Sequence, residues 1–356
     1  MIIFTGDTLV RDVALAIVVL FFGFSFQFAT IFFYKWCKQP VRRLVDSNFL
    51  WALLLIFLNF QQLFFVINDF YVYDSLSLVW IYLGYISIGA GIIIFILLQE
   101  SSLPFNSHYV FTITSVLLFT LLLVAPRDVQ IFMVVPEGAI LVIEFLIFIQ
   151  YVIKVSSTQE KKQFVLFVVG VVFLAIGEGL KSEFITNIHI VFYIMGAGFM
   201  LIGIVVSNYA LLKLPGFTEI GWSKVIREIF VIHRSGTPIL HAKFENGRIK
   251  RDPMDSKTLL TSGIITAMQT AISEVLESKS KTMSFDKGDY KILLRKNKNA
   301  LVVVFSEKNY ATIHNKMQQF IKDFCKLFKN ELENKPKDVS IFNIGYSLIE
   351  EIFKEE

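Results

Sequence analysis

The feature that most constrains this chain is a change of solvent near residue 214. From Val13 to Leu214 it is a string of long apolar runs, and from Pro215 to Glu356 it has the charge density and the periodicities of a water-soluble domain. Lys plus Arg number 11 before Pro215 and 23 from there on, and Asp plus Glu number 12 and 18, so the two parts carry about −1 and +5. At 54% hydrophobic and 18% charged, the whole is more apolar and less charged than an ordinary globular chain. The chain therefore reads as a membrane region followed by one modest soluble module.

A helix needs about 20 apolar residues to cross the hydrocarbon core. Seven stretches qualify, at about Val13–Tyr34, Asn48–Ile67, Leu76–Leu98, Val110–Ala125, Val134–Ile153, Phe164–Leu180 and Ile188–Leu212. The fourth and sixth are the shortest. Loop charge then sets direction, because basic residues stay on the cytoplasmic side. One set of loops holds Lys35, Lys38, Arg42, Arg43, Lys154, Lys161, Lys162 and Lys213, and the other only Arg11, Arg127 and Lys181. That bias puts the N-terminus outside and the C-terminal domain in the cytoplasm, at the plasma membrane. The segment Met1–Asp12 lacks a basic stretch, and the first apolar run is too long for a signal peptide. Cys37 and Cys325 fall on the expected cytosolic side and are expected to be reduced.

Ionisable and amide side chains inside spans are costly and face the bundle interior or a watery cavity. Glu137 and Glu144 lie seven apart on the fifth span and so share a face. Glu178 closes the sixth span, with Lys181 and His189 near it, and Asn59, Gln61 and Gln62 sit deep in the second. Glu137, Glu144, Glu178, Asn59 and Gln62 are the candidate ligand-binding residues, forming a polar pocket for a small ligand or cation. The competing reading is interhelical hydrogen bonding that holds the bundle together. Gly170, Gly177, Gly179, Gly196, Gly198 and Gly203 suit close helix approach.

The region is similar to receptor-like seven-helix membrane modules. Particular members of that class are excluded. Ile188–Leu212 holds no lysine for a retinal Schiff base, the third span ends Leu98-Gln99-Glu100 without an Asp-Arg-Tyr-like triplet, and the seventh lacks an Asn-Pro motif. No internal repeat or interrupted span of the transporter kind stands out, and the one proline within a span is Pro136, at the start of the fifth.

After Pro215 and Gly216 the expected elements are strands at Glu228–His233 and Ile239–Phe244 and a polar loop over Glu245–Asp255. A helix follows over Ser256–Ser278, with the stripe Leu260, Ile264, Met268, Ala271 and Val275. Strands follow at Lys281–Phe285, Tyr290–Lys296 and Ala300–Phe305, with Gly288 turning the first hairpin. Two helices close the chain, Asn309–Asn330 with Ile313, Met317, Phe320, Phe324 and Leu327 inward, and Val339–Phe353 with Phe342, Tyr346, Ile349 and Phe353 inward. The expected fold is thus an all-α seven-helix transmembrane bundle (1–214), a connector (215–225) and an α+β cytoplasmic domain (226–356). The last is a five-stranded antiparallel sheet in the order β-β-α-β-β-β-α-α.

On that order, and on stretches such as Phe230–Pro238 and Phe285–Leu293, the C-terminal domain resembles the longin and roadblock-like (profilin-like) domains. The resemblance implies a non-enzymatic role: binding a small Ras-like GTPase or another regulatory protein, and pairing of two copies through the domain. A PAS-like sensor is the main rival, though one long helix between the second and third strands suits longin better. A transporter or channel with a regulatory domain is the other alternative. No phosphate loop, metal-spaced Cys/His cluster or kinase motif is present, so no enzyme activity, cofactor, metal or nucleic-acid partner is expected. Two basic clusters, Arg248, Lys250 and Arg251 (with Lys243), and Arg295, Lys296 and Lys298, could rest on anionic lipid. Alternatively, they are simply solvated.

Overall fold

The computed structural model describes residues 8–39, 46–71, 77–103, 107–124, 127–186, 188–245, 248–251, 260–265, 267, 282–288, 290–333 and 338–353. It divides into two compact units, Met1–Ile220 and Gly221–Glu356.

The first unit is helical: α1 (Thr8–Cys37), α2 (Ser47–Phe70), α3 (Ser77–Glu100), α4 (Val110–Val124), α5 (Arg127–Val155), α6 (Thr158–Lys181), the single turn α7 (Glu183–Thr186) and α8 (Val191–Lys213). Among the described residues six helices are long and apolar enough to cross a membrane, and α4 is a shorter apolar helix. This is an integral membrane protein. Of the seven expected spans six are thus long enough, and the fourth is short: the 15 residues of α4 span about 22 Å, against a hydrocarbon core of about 30 Å. The sixth expected span proves full length, at 24 residues. Leu117, Val142, Ile143, Val165, Val172 and Ile202 are exposed on the outer surface of the helices, as a lipid-facing wall requires.

Helix ends are satisfied locally. Asp46 caps α2 by accepting from the Asn48 N–H at 2.8 Å. Ser157 and Glu160 form a reciprocal capping box at the start of α6. Lys35 Nζ donates to the Leu212 carbonyl at 3.1 Å, covering the free end of α8 from α1. The helices pack without the hydrophobic drive that water provides, so contact depends on small residues. A Cβ on Gly170 would lie 2.5 Å from the Ser207 backbone N, and one on Gly203 2.7 Å from the Gly170 carbonyl. Gly177 and Gly196 approach each other's carbonyls equally closely. Seven-residue spacing on both antiparallel helices therefore makes one α6–α8 seam. Gly179 and Gly198, expected to share it, have open space around them.

The chain leaves α8 through a short 3-10 turn (Phe217–Glu219). Phe217 is buried in edge-to-face contact with Phe148 of α5 at 5.1 Å and with Phe167 and Phe164 of α6 at 5.3 and 6.5 Å. The Thr218 N–H donates to Ser47 Oγ at the head of α2. So part of the expected connector belongs to the helical unit, while Trp222 belongs to the core of the second.

The second unit holds β1 (Ile226–His233), β2 (Pro238–Glu245), β3 (Arg248–Arg251), β4 (Thr282–Lys287), β5 (Tyr290–Lys296) and β6 (Ala300–Ser306) in one antiparallel sheet of order β3-β2-β1-β6-β5-β4. The expected five strands become six, because the stretch taken as a polar loop contains β3, paired with β2 through Glu245↔Arg248 and Phe244↔Ile249. Gly288 turns the β4–β5 hairpin at φ 70°.

Helices α9 (Ala311–Leu327) and α10 (Gly345–Phe353), joined through a 3-10 turn at Ser340–Ile344, cover one face. Ile313, Met317, Phe320, Phe324, Phe342, Tyr346, Ile349 and Phe353 pack there against Ile229, Val231, Leu240, Val302 and Val304. Leu327, expected inward, is exposed, and Ile321 and Phe328 are buried instead. The opposite face, with Phe230, Ile232, Leu294, Leu301 and Val303, meets Ile265 of a helical stretch at residues 260–265. The expected stripe there is out of phase: Leu260 and Ile264 point outward, and Ser262 and Ile265 inward. Met268, Ala271 and Val275 lie outside the described residues.

Candidate functional site

Four polar residues in the second half of α2 fall in two pairs, Gln61 and Gln62, then Asn68 and Asp69, spaced seven apart and so on one face two turns apart. That face meets the far end of α6 and the first turn of α8. Gln61 Nε2 and Gln62 Nε2 both donate to Glu178 Oε1, at 2.9 and 2.8 Å. Lys181, one turn beyond Glu178, donates from Nζ to Gln62 Oε1 at 2.5 Å and lies 5.3 Å from the centre of the Tyr193 ring. The Tyr193 hydroxyl donates to Asp69 Oδ2 at 3.2 Å, and Asn68 Nδ2 donates to Asp69 Oδ1 at 3.0 Å. On α1, Arg11 donates to the Phe70 carbonyl at 3.1 Å. The result is a network running from α2 through α6 to α8, with two carboxylates, one ammonium and a guanidinium at its edge.

Its chemistry is that of a nearly self-neutralised cluster. Each carboxylate has donors, and Lys181 has an acceptor and an aromatic face. Gln61 Oε1 remains buried without a partner, so the cluster still offers one amide acceptor to a donor group.

The expected candidates separate. Glu178 and Gln62 belong to this network. Asn59 does not: both of its amide atoms are buried without a hydrogen-bond partner. Glu144 lies elsewhere, buried on α5, on which α3 and α4 pack, and the side chain of Glu137 is outside what the structure describes. His189 is exposed and accepts from the Val191 N–H at the start of α8. Asp69 and Tyr193 were not singled out from sequence, although Asp69 stands seven residues from Gln62 and so on the same face.

A separate buried pair, Trp51 Nε1 donating to Asn208 Oδ1 at 2.7 Å, ties α2 to α8 nearer their other ends. Glu100, at the end of α3, accepts from the Phe111 and Thr112 N–H groups at 3.2 and 2.9 Å and from Thr112 Oγ1 at 2.6 Å. A carboxylate at a helix N-terminus is favoured by the dipole and by free N–H groups, and here it seats α4.

In the C-terminal unit the two basic clusters do not form one patch. Strands β3 and β5 are separated by β2, β1 and β6, about 19 Å at ordinary strand spacing. Lys250, Lys296 and Lys298 are exposed, and Arg295 is half-buried. The side chains of Arg248 and Arg251 are outside the described set. Burial holds the His314 imidazole below its ordinary pKa, and the Arg295 charge adds to the effect. His314 Nε2 is 2.7 Å from Asn309 Oδ1, and its Nδ1 is buried without a partner. Burial likewise raises the Cys325 thiol, and both cysteines are free. Among the described residues no group of three or more His, Cys, Asp or Glu side chains could hold a metal ion.

No protein-family model matches this chain, and no curated protein matches it.

Proposed function

We propose that this is a receptor-like membrane protein whose C-terminal, longin-like domain docks a small Ras-like GTPase or another regulatory protein at the cytoplasmic face. The observation that carries the reading is the filled sheet–helix layer of the C-terminal unit. Phe320, Phe324, Phe342 and Phe353 are fully buried, with ring centroids 5.5 to 6.0 Å apart along Phe353–Phe320–Phe324–Phe342. Among the described residues, the layer between the sheet and helices α9 and α10 is occupied by the domain's own aromatic rings, which supports a module that offers its surface to a partner over a PAS-like sensor with a cavity there. The edge strands β3 and β4 and the outward Leu260 and Ile264 are the surfaces available for a protein partner or for a second copy.

The orientation follows from the loop charges, with the N-terminus outside, and needs α4 to cross a locally thinned bilayer. The test is capture of purified small GTPases by the full-length protein in lipid nanodiscs, each GTPase loaded with GDP or a non-hydrolysable GTP analogue. Capture that depends on the nucleotide is expected. Equal or absent capture in both states sinks the proposal. A transporter or channel is the second reading, favoured by the charged network buried between α2, α6 and α8; vesicle flux that vanishes in Glu178→Gln would favour it.

A further inference from the structure

The α2–α6–α8 network leaves one membrane-embedded carboxyl unexplained. Glu144 lies inside the apolar stretch Gly138–Val155 of α5. Its side chain is 0% exposed, and neither Oε1 nor Oε2 has a hydrogen-bond partner. Helices α3 and α4 pack on α5, and each brings a polar side chain that is also 0% exposed and unpartnered: Ser115 Oγ from α4, and both amide atoms of Gln99 from α3. Ser115 stands one turn beyond Phe111 and Thr112, whose N–H groups hold Glu100.

No cationic side chain stands in the middle of any described helix packed on α5. Helix α4 has no ionisable residue, α6 has none between Lys162 and Glu178, and α3 has none between Tyr85 and Glu100. On α5 itself the ionisable groups next to it are Tyr151 and Lys154 on one side and Glu137 on the other, each at least seven residues away. The charge held where α3 meets the head of α4 is Glu100, a second anion. An unpaired carboxylate in hydrocarbon is so costly that it takes up a counter-charge. Carboxylate, hydroxyl and amide carbonyl oxygens are the donors that small hard cations prefer.

We infer that Glu144 is the binding site for one small monovalent cation, a proton or a sodium ion, taken up among α3, α4 and α5. The inference does not depend on the docking role of the C-terminal domain. The test uses the full-length protein in phosphatidylcholine vesicles, treated with dicyclohexylcarbodiimide. This apolar reagent modifies protonated carboxyls, and the product is read by peptide mass. The assay is run at mildly acidic and mildly alkaline pH, in sodium chloride or choline chloride.

If the ligand is a proton, labelling of Glu144 falls about tenfold per pH unit once the site empties, whichever salt is present. If the ligand is sodium, labelling at constant pH is suppressed by sodium and not by choline. Labelling unchanged by both pH and sodium overturns the inference. Where the reagent does not reach Glu144, infrared spectra decide. A carboxylic-acid C=O band that titrates, or a carboxylate band shifted by sodium, and that Glu144→Gln abolishes, supports the site. Identical spectra for the two proteins overturn it.

Discussion

In the helical unit, α6 and α8 meet through Gly170, Gly177, Gly196 and Gly203, and the polar contacts of α2 lie at the two ends of that seam. In the C-terminal unit, α9 meets its sheet through the rings of Phe320, Phe324 and Phe328, and the one close glycine, Gly345 of α10, lies against side chains, Phe324 and Leu240, rather than against another helix's backbone. The two kinds of core reflect two solvents. In water, burying a Phe removes a large apolar surface from the solvent and is strongly favourable. In lipid the same exchange gains little, so close approach and hydrogen bonds must hold helices together. Large apolar side chains are accordingly exposed all along the first unit, and glycine marks contact there rather than flexibility.

The comparison can be broken most sharply at Phe324. Replacing it with Ala is expected to cost the C-terminal unit about 3–5 kcal/mol, read as faster amide exchange across β1 and β6, while the heat stability of the helices in detergent stays unchanged. Loss of stability in both units together would mean that they do not behave as separate cores. Next in size is Gly203→Leu, which drives a side chain into the Gly170 carbonyl and Leu174. A penalty of about 1–3 kcal/mol or more is expected, seen as an earlier heat-aggregation midpoint in detergent, whereas Gly198→Leu, with open space around it, leaves that midpoint in place.

A smaller effect, about 1 kcal/mol, is expected from Glu178→Gln, and a double-mutant cycle with Gln62→Leu would show coupling between the two. Additive losses would remove the network from the list of contacts that hold α2 to α6. The smallest effect is a pH slope confined to the C-terminal unit. His314 holds its proton less tightly folded than unfolded. The stability contributed by its neutral form is therefore present above the ordinary His value of about 6.5 and lost as pH falls through it. Amide exchange in α9 should speed up on acidification, and His314→Gln should flatten the slope.

Much of this organisation is written in the sequence at the level of period and solvent. The apolar runs located the long helices, and alternation with hairpin glycines located five of the six strands. What failed did so for physical reasons. The dipeptide Asn246-Gly247 is a strong two-residue hairpin signal. The three basic residues around Ile249 nonetheless drew the stretch towards a loop, although an edge strand tolerates such charge well. The stripe through Leu260 and Ile264 has the right period and the wrong phase. Period alone cannot tell an inward face from an outward one when both carry apolar residues.

Among the site residues, Glu178 and Gln62 could be picked as buried polar groups, but not as partners, because nothing local says which face of α2 meets α6. Glu144 was picked with them, and only the packing of α3 and α4 showed that its surroundings are different.

Phe217 sets where the chain is held once it has left the last long helix. Its ring is lodged between Phe148 of α5 and Phe164 and Phe167 of α6, and the next residue is hydrogen-bonded to the head of α2. The polypeptide is thus clamped two residues before the start of the second unit is reached at Ile220–Gly221. A tether free from Leu214 onward would absorb small helix movements as slack. A clamped one has a fulcrum: sliding α5 against α6 must either carry Phe217 along or expel it, and in both cases the point at which the chain is let go moves with the helices.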